Sequence, residues 1–244
     1  MKIQSCMIGM MVLGLGVSAF GQGAPEEQKK STWESSAALG LTLTEGNSRT
    51  LQINGQVQSM KKWDQNEINL GASGTYGKDR GEKSAESLRG YAQYNRLFSE
   101  RVFGYLRVDA LHDAIADIEY RVGISPGAGY YFIKNQTTGL RGEVGPGVIF
   151  EKQGDDTDTY MTLRFAERFD HKLNERATLW QTLEFLPQVD RWGNFIINAE
   201  IGIETAITKS LSQRTFVQDT YDNEPAAGRR KNDVKLVAAI AYKF

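Results

Sequence analysis

The stretch Val234-Lys235-Leu236-Val237-Ala238-Ala239-Ile240-Ala241-Tyr242-Lys243-Phe244 decides the fold. In an extended strand successive side chains point to opposite faces. Val234, Leu236, Ala238, Ile240, Tyr242 and Phe244 then share one face. Asp233, Lys235, Val237, Ala239, Ala241 and Lys243 share the other. One apolar face, one mixed face and a closing aromatic are the pattern of the last strand of an outer-membrane β-barrel, with the apolar face toward lipid and the aromatic at the interface. A strand of a soluble sheet also alternates, so the rest of the chain has to decide between them.

The N-terminus favours export. Lys2 precedes a short apolar run, Met7–Val17, and Ala19 and Gly21 place small residues before a cleavage point ahead of Gln22. This is the layout of a secretory signal peptide, expected over Met1–Gly21. The run is too short for a membrane-spanning helix, which needs about 20 apolar residues. Cys6 is the only cysteine and would leave with the signal, so the exported chain forms no internal disulfide. A closed, hydrogen-bonded barrel is one way to hold such a chain together. The formal net charge of −1, from 29 Lys and Arg against 30 Asp and Glu, provides no basic field for nucleic acid. Mean hydropathy is −0.44. A low value is compatible with a membrane barrel, whose strands alternate apolar and polar residues.

Residues 22–32 read as a short periplasmic lead-in, and 33–244 as one series of alternating segments. Trp33, Ala37, Leu39, Leu41 and Leu43 share a face at its start; Phe195, Ile197, Ala199, Ile201 and Ile203 do so near its end. The whole reads as all-β, a single transmembrane antiparallel barrel of roughly 12 strands, an even number as in bacterial outer-membrane barrels. Turns at Leu97–Arg101, Lys134–Thr137, His171–Glu175 and Thr208–Lys209 are short. Lys78–Glu86, Lys152–Thr159 and Asp222–Asn232 read as longer, charged outer loops, with Glu45–Ser48 a short exception. That rhythm is the expected asymmetry between periplasmic turns and external loops. Tyr94, Phe98, Tyr130, Phe132, Tyr242 and Phe244 group near the periplasmic ends, and Tyr76, Phe150, Trp192 and Phe195 near the outer ends, as two aromatic girdles would. Phe103 and Phe216 fall on the inner face. Pro126 and Pro146 lack a ladder donor, which predicts a bulge at each.

Three groups of residues carry a family likeness: Leu41-Thr42-Leu43-Thr44-Glu45-Gly46-Asn47-Ser48, then Arg121–Tyr131 with its Ser-Pro-Gly-Ala-Gly-Tyr-Tyr, then Gly202–Thr205, Leu211-Ser212, Pro225–Gly228 and the Tyr242-Lys243-Phe244 end. Through them the chain resembles the YdiY-like salt-induced outer-membrane proteins, a domain of unknown function (number 481). The resemblance implies an outer-membrane barrel. It supplies no catalytic residue, and the salt association belongs to the family's name.

By strand parity Arg89, Arg107, Arg121, Arg141 and Arg164 point inward from five consecutive strands, with Arg168 as a sixth. Asp109, Glu119 and Glu143 lie among them, and Glu184, Glu200 and Glu204 lie on the next two strands. One wall would be mostly basic and its neighbour acidic. Such a lumen reads first as a small passive channel whose transverse field filters small anions or zwitterions; the alternative is a closed, envelope-stabilising barrel without transport, plugged by its own ion pairs, since buried charges must be paired. Enzymatic signals are weak. His112 is followed by Asp113-Ala114 and His171 by Lys172-Leu173, so neither makes the His-x-Ser of barrel lipid hydrolases. Gly154–Asp158 lacks the spacing of a calcium loop. The glycines around Pro126 and Pro146 have no Lys-Ser/Thr or helix after them to cradle phosphate. The expectation is a monomer without cofactor or metal, whose partners are outer-membrane lipid and the barrel-assembly machinery. Tyr242 and Phe244 would be that machinery's insertion signal.

Overall fold

In the computed structural model the described residues are 32–45, 51–79 and 82–244. The expected signal peptide, most of the lead-in and most of the first hairpin turn lie outside them. Twelve strands follow in order: β1 (Trp33–Glu45), β2 (Leu51–Trp63), β3 (Asn66–Asp79), β4 (Glu82–Leu97), β5 (Val102–Asp113), β6 (Ile118–Lys134), β7 (Thr138–Gln153), β8 (Asp156–Lys172), β9 (Ala177–Pro187), β10 (Phe195–Ala206), β11 (Leu211–Asp222) and β12 (Asn232–Lys243). Each strand pairs antiparallel with its sequence neighbours, and β12 returns to β1, so the sheet is a closed barrel. Closure removes both sheet edges and pairs their backbone groups, which a bilayer requires. The seam runs from Ser36 opposite Lys243 to Glu45 opposite Val234. It continues to Phe244, whose amide donates to the Ser35 carbonyl at 3.0 Å and whose carbonyl accepts from the Ser35 amide at 3.3 Å.

The period-2 pattern sorts side chains as the sequence implies. Leu39, Ile53 and Leu88 are 72%, 64% and 61% exposed on the outside, whereas Phe103 is 0% exposed inside. A continuous exterior of this kind suits lipid, not water. The two groups of girdle aromatics are exposed or half-buried, and Phe103 and Phe216 are buried.

The turns on the side of the chain termini stay short, at residues 64–65, 98–101, 135–137, 173–176 and 207–210. Two of the three long outer loops are not loops. The β3–β4 ladder continues to Lys78 opposite Lys83 and Asp79 opposite Glu82. The β7–β8 ladder continues to Gln153 opposite Asp156, and Gly154 turns the chain at φ 59°. Charge marks where a hairpin leaves the bilayer, but the backbone ladder is indifferent to it. Residues 188–194 and 223–231 are the extended outer connections.

Neither proline makes a bulge. Ile124 opposite Val148 and Ala128 opposite Val144 keep one register across both. That register sets Pro126 against Pro146, so the missing donors face each other and the ladder loses bonds without gaining a residue. Shifts occur instead at Ile118/Tyr120 and Tyr131/Ile133.

Inward glycines make room for aromatics from the neighbouring strand. A Cβ on Gly129 would lie 2.1 Å from the Phe103 ring, and that ring packs at 5.1 Å on Tyr131. Gly129→Val should therefore cost about 1–3 kcal/mol through overpacking, read as a lower urea midpoint of the refolded barrel. Adding Phe103→Leu should recover part of the loss. If the double variant is no more stable than the single one, the Phe103 contact is not the cause.

Candidate functional site

Because β4 turns Arg89, Tyr91, Gln93 and Asn95 inward, and β7 to β10 turn Glu143, Arg164, Glu184 and Asn198 inward, polar side chains meet across the barrel. Gln93 Nε2 donates to Glu143 Oε1 at 3.0 Å, although three strand-to-strand steps separate them around the wall. Arg164 joins two carboxylates, donating from Nη1 to Glu143 Oε2 at 2.8 Å and from Nε to Glu184 Oε1 at 2.6 Å. Asn198 Nδ2 donates to Glu184 Oε2 at 3.1 Å, and Arg89 Nη2 reaches Asn198 Oδ1 at 3.5 Å. The path thus leaves β4 at Gln93, crosses to β7, runs through β8, β9 and β10, and returns to β4 at Arg89.

Branches extend this belt. Arg107 donates to Gln93 Oε1 at 3.0 Å and grips Asp109 through two bonds of 2.8 and 2.6 Å. Its guanidinium lies 4.6 Å from the centre of the Tyr91 ring, and that of Arg164 lies 5.3 Å from Tyr105. Asn95 donates to Glu67 at 3.3 Å and Tyr131 to the same oxygen at 3.0 Å. Gln93 is 2% and Asn95 0% exposed, so no water-filled passage touches either side chain.

Separate groups stand at the two ends of the interior. Toward the outside Arg121 pairs with Glu151 and, at 2.8 Å, with Asp222 of β11 across the barrel. Lys235 of β12 faces Asp113 of β5 at 3.8 Å. Toward the termini Arg214 pairs with Glu204 at 2.8 Å and with Ser36 at 3.1 Å, and Lys243 also pairs with Glu204. There the wall of β11, β12 and β1 is apolar inside, with Ala38, Phe216, Val237, Ala239 and Ala241 packed beside Trp180. The Trp180 indole donates to Glu200 at 2.6 Å, and Gln218 donates to the same carboxylate at 2.7 Å.

Of the twelve charged residues read as inward, eleven keep the inner-face parity of their strands. Glu119 does not: its side chain is 62% exposed and pairs with Lys152. The shift between Ile118 and Tyr120 breaks the parity count, so Ile118 is buried while Glu119 points out. The opposed basic and acidic walls also give way to local pairing. Arg141 meets Glu143 at 3.3 Å and Arg168 meets Asp170 at 2.7 Å. Parity alone would have found Gln93, Asn95, Glu151 and Arg214. The first two carry no charge, Glu151 borders a stretch read as loop, and β11 alternates poorly.

The two histidines sit at opposite ends. His112 Nδ1 contacts the Glu119 carbonyl at 2.8 Å, and His171 Nδ1 contacts Thr138 Oγ1 at 2.9 Å. No cluster of three or more His, Cys, Asp or Glu side chains suited to a metal ion occurs among the described residues.

The sequence matches, over residues 37–244, the family described as "Protein of unknown function, DUF481". The chain belongs to this family. No curated protein matches it in sequence. Among solved structures it is similar to the NanC porin, with a TM-score of 0.60 at 7% identity over 85% of this chain and 100% of that one. It is also similar to the KdgM porin, solved in complex with disordered oligogalacturonate, with a TM-score of 0.51 at 8% identity over 86% and 99% of the two chains. At such identities the likeness establishes a shared fold, that of the porin-type outer-membrane barrels.

Proposed function

We propose that this family member is an outer-membrane barrel whose interior is closed by its own hydrogen-bonded belt, a structural barrel of the envelope open only toward the outside. The observation that carries this reading is the Gln93–Glu143–Arg164–Glu184 connection across the interior, with Gln93 and Asn95 almost fully buried. Residues 1–21 would be removed on export. Tyr242 and Phe244 would be the signal read by the barrel-assembly machinery, and the folded chain would act as a monomer in lipid, without enzymatic activity. Passive small-solute transport through a charged lumen is the second reading, favoured by the fold shared with the NanC and KdgM porins.

Planar-bilayer recording separates the two, with folding confirmed by the heat-dependent gel shift. The closed barrel should give no unitary conductance in wild-type form. Discrete steps scaling with salt concentration would establish the channel and end the closed reading.

A further inference from the structure

Above the belt the interior widens into a cavity of about 150 Å³ on the outer side. We propose that it binds a small hydroxylated carboxylate of the acidic-monosaccharide class, with Arg89 receiving the carboxylate. The site requires the barrel of the preceding reading but not its closed lumen.

Charge pairing singles out Arg89. Five acids line this cavity: Asp222 has Arg121 at 2.8 Å, Asp113 has Lys235 at 3.8 Å, Glu200 accepts from Trp180 and Gln218, Asp219 faces the Asn232 amide, and Asp233 lies within electrostatic reach of Lys235. Arg89, by contrast, makes no ion pair among the described residues, and its single hydrogen bond is the long one to Asn198. A guanidinium carries five N–H donors in a planar fork that matches a carboxylate. Inward arginines elsewhere in this barrel, such as Arg107, Arg164 and Arg214, each hold a carboxylate. Lys235, paired with Asp113, lines the same cavity.

Around this cationic point, beside Leu111 and Ile118, the lining includes hydroxyl and amide side chains, among them Ser73, Ser87, Thr182 and Gln218. These groups both donate and accept, so they suit the alternating roles of sugar hydroxyls and add nothing for an apolar acid. The volume holds about ten waters, room enough for one acidic sugar. Arg229, Arg230 and Lys231 of the 223–231 connection line the cavity from its outer loop, a basic approach for an anion entering from outside.

The probe is glucuronate, titrated calorimetrically into the refolded full-length protein in detergent, with glucose and acetate as comparisons. Saturable glucuronate binding is expected, with glucose and acetate each at least about tenfold weaker, as loss of one charged or several neutral hydrogen bonds implies. Arg89→Gln should weaken glucuronate binding by about 10- to 100-fold on the same grounds. Ser73 is the cross-strand partner of Arg89. Ser73→Asp would therefore set a built-in carboxylate beside the guanidinium, and it should abolish binding while leaving the gel shift intact. This second variant keeps the test decisive if Arg89→Gln fails to fold. Absent wild-type binding, equal binding of glucose, or undiminished binding in Ser73→Asp would overturn the proposal. A conducting wild type that still binds glucuronate would end the closed reading and leave this site standing.

Discussion

Arg164→Ala should lower the stability of the refolded barrel by about 3–5 kcal/mol, the usual cost of breaking a buried ion pair by removing one partner. The reason lies in what remains. Glu143 and Glu184 sit on either side of the Arg164 guanidinium, and the three side chains are 4%, 18% and 5% exposed. Without the arginine, two carboxylates share a poorly solvated space with Arg141, Arg107, Gln93 and Asn198 left to answer them. Tyr105 also loses the cation over its ring. A triple variant, Arg164→Met with Glu143→Gln and Glu184→Gln, removes the charges together. It should regain most of the loss, because replacing a whole buried ionic cluster is often near neutral. Urea titrations of the three proteins in the same lipid are the measurement. If Arg164→Ala costs under about 1 kcal/mol, the pairs behave as solvated surface bridges do, and the belt is then wet. If the single variant also acquires unitary conductance, the same side chain closes the lumen and stabilises the wall.

Much of this architecture is legible in the chain because one physical rule governs the exterior. Lipid demands apolar side chains at every second position, so Leu39-Leu41-Leu43 and Phe195–Ile203 announce strands and their outer faces together. Parity then yields the inner face, including Arg107, Arg164 and Glu184, without knowledge of which groups meet. Contacts across the interior are another matter. Gln93 and Glu143 are fifty positions apart and touch only because the barrel curls β4 toward β7, a consequence of strand number and stagger that no local pattern carries. Parity itself fails where a register shift inserts a residue, which is why Glu119 faces out. The charged stretches Lys78–Glu86 and Lys152–Thr159 look like loops in the chain because charge reports the edge of the bilayer, whereas hydrogen bonding reports the end of the strand.

Phe244→Ala should reduce the amount of folded protein in the outer membrane of cells several-fold while leaving refolding in vitro nearly intact. The seam between β1 and β12 is the last pairing needed for closure, since the other eleven pairings join consecutive strands. At its end Phe244 exchanges two backbone hydrogen bonds with Ser35, and an alanine there can make both. The ring itself is 69% exposed on the outer face and stacks 6.4 Å from Tyr242. Its thermodynamic share is then a partly buried aromatic, about 1.5–3 kcal/mol at most. A closed barrel with twelve paired strands should tolerate that. A larger loss in cells than in the test tube would therefore come from recognition during assembly, where an exposed aromatic pair on an open β12 is available to a partner. Phe244→Trp should restore assembly, because it keeps the interfacial ring. The comparison needs heat-shift gels of membrane fractions beside the urea midpoints of the purified proteins. Equal losses in both would reduce Phe244 to an ordinary lipid anchor and remove it as an assembly signal.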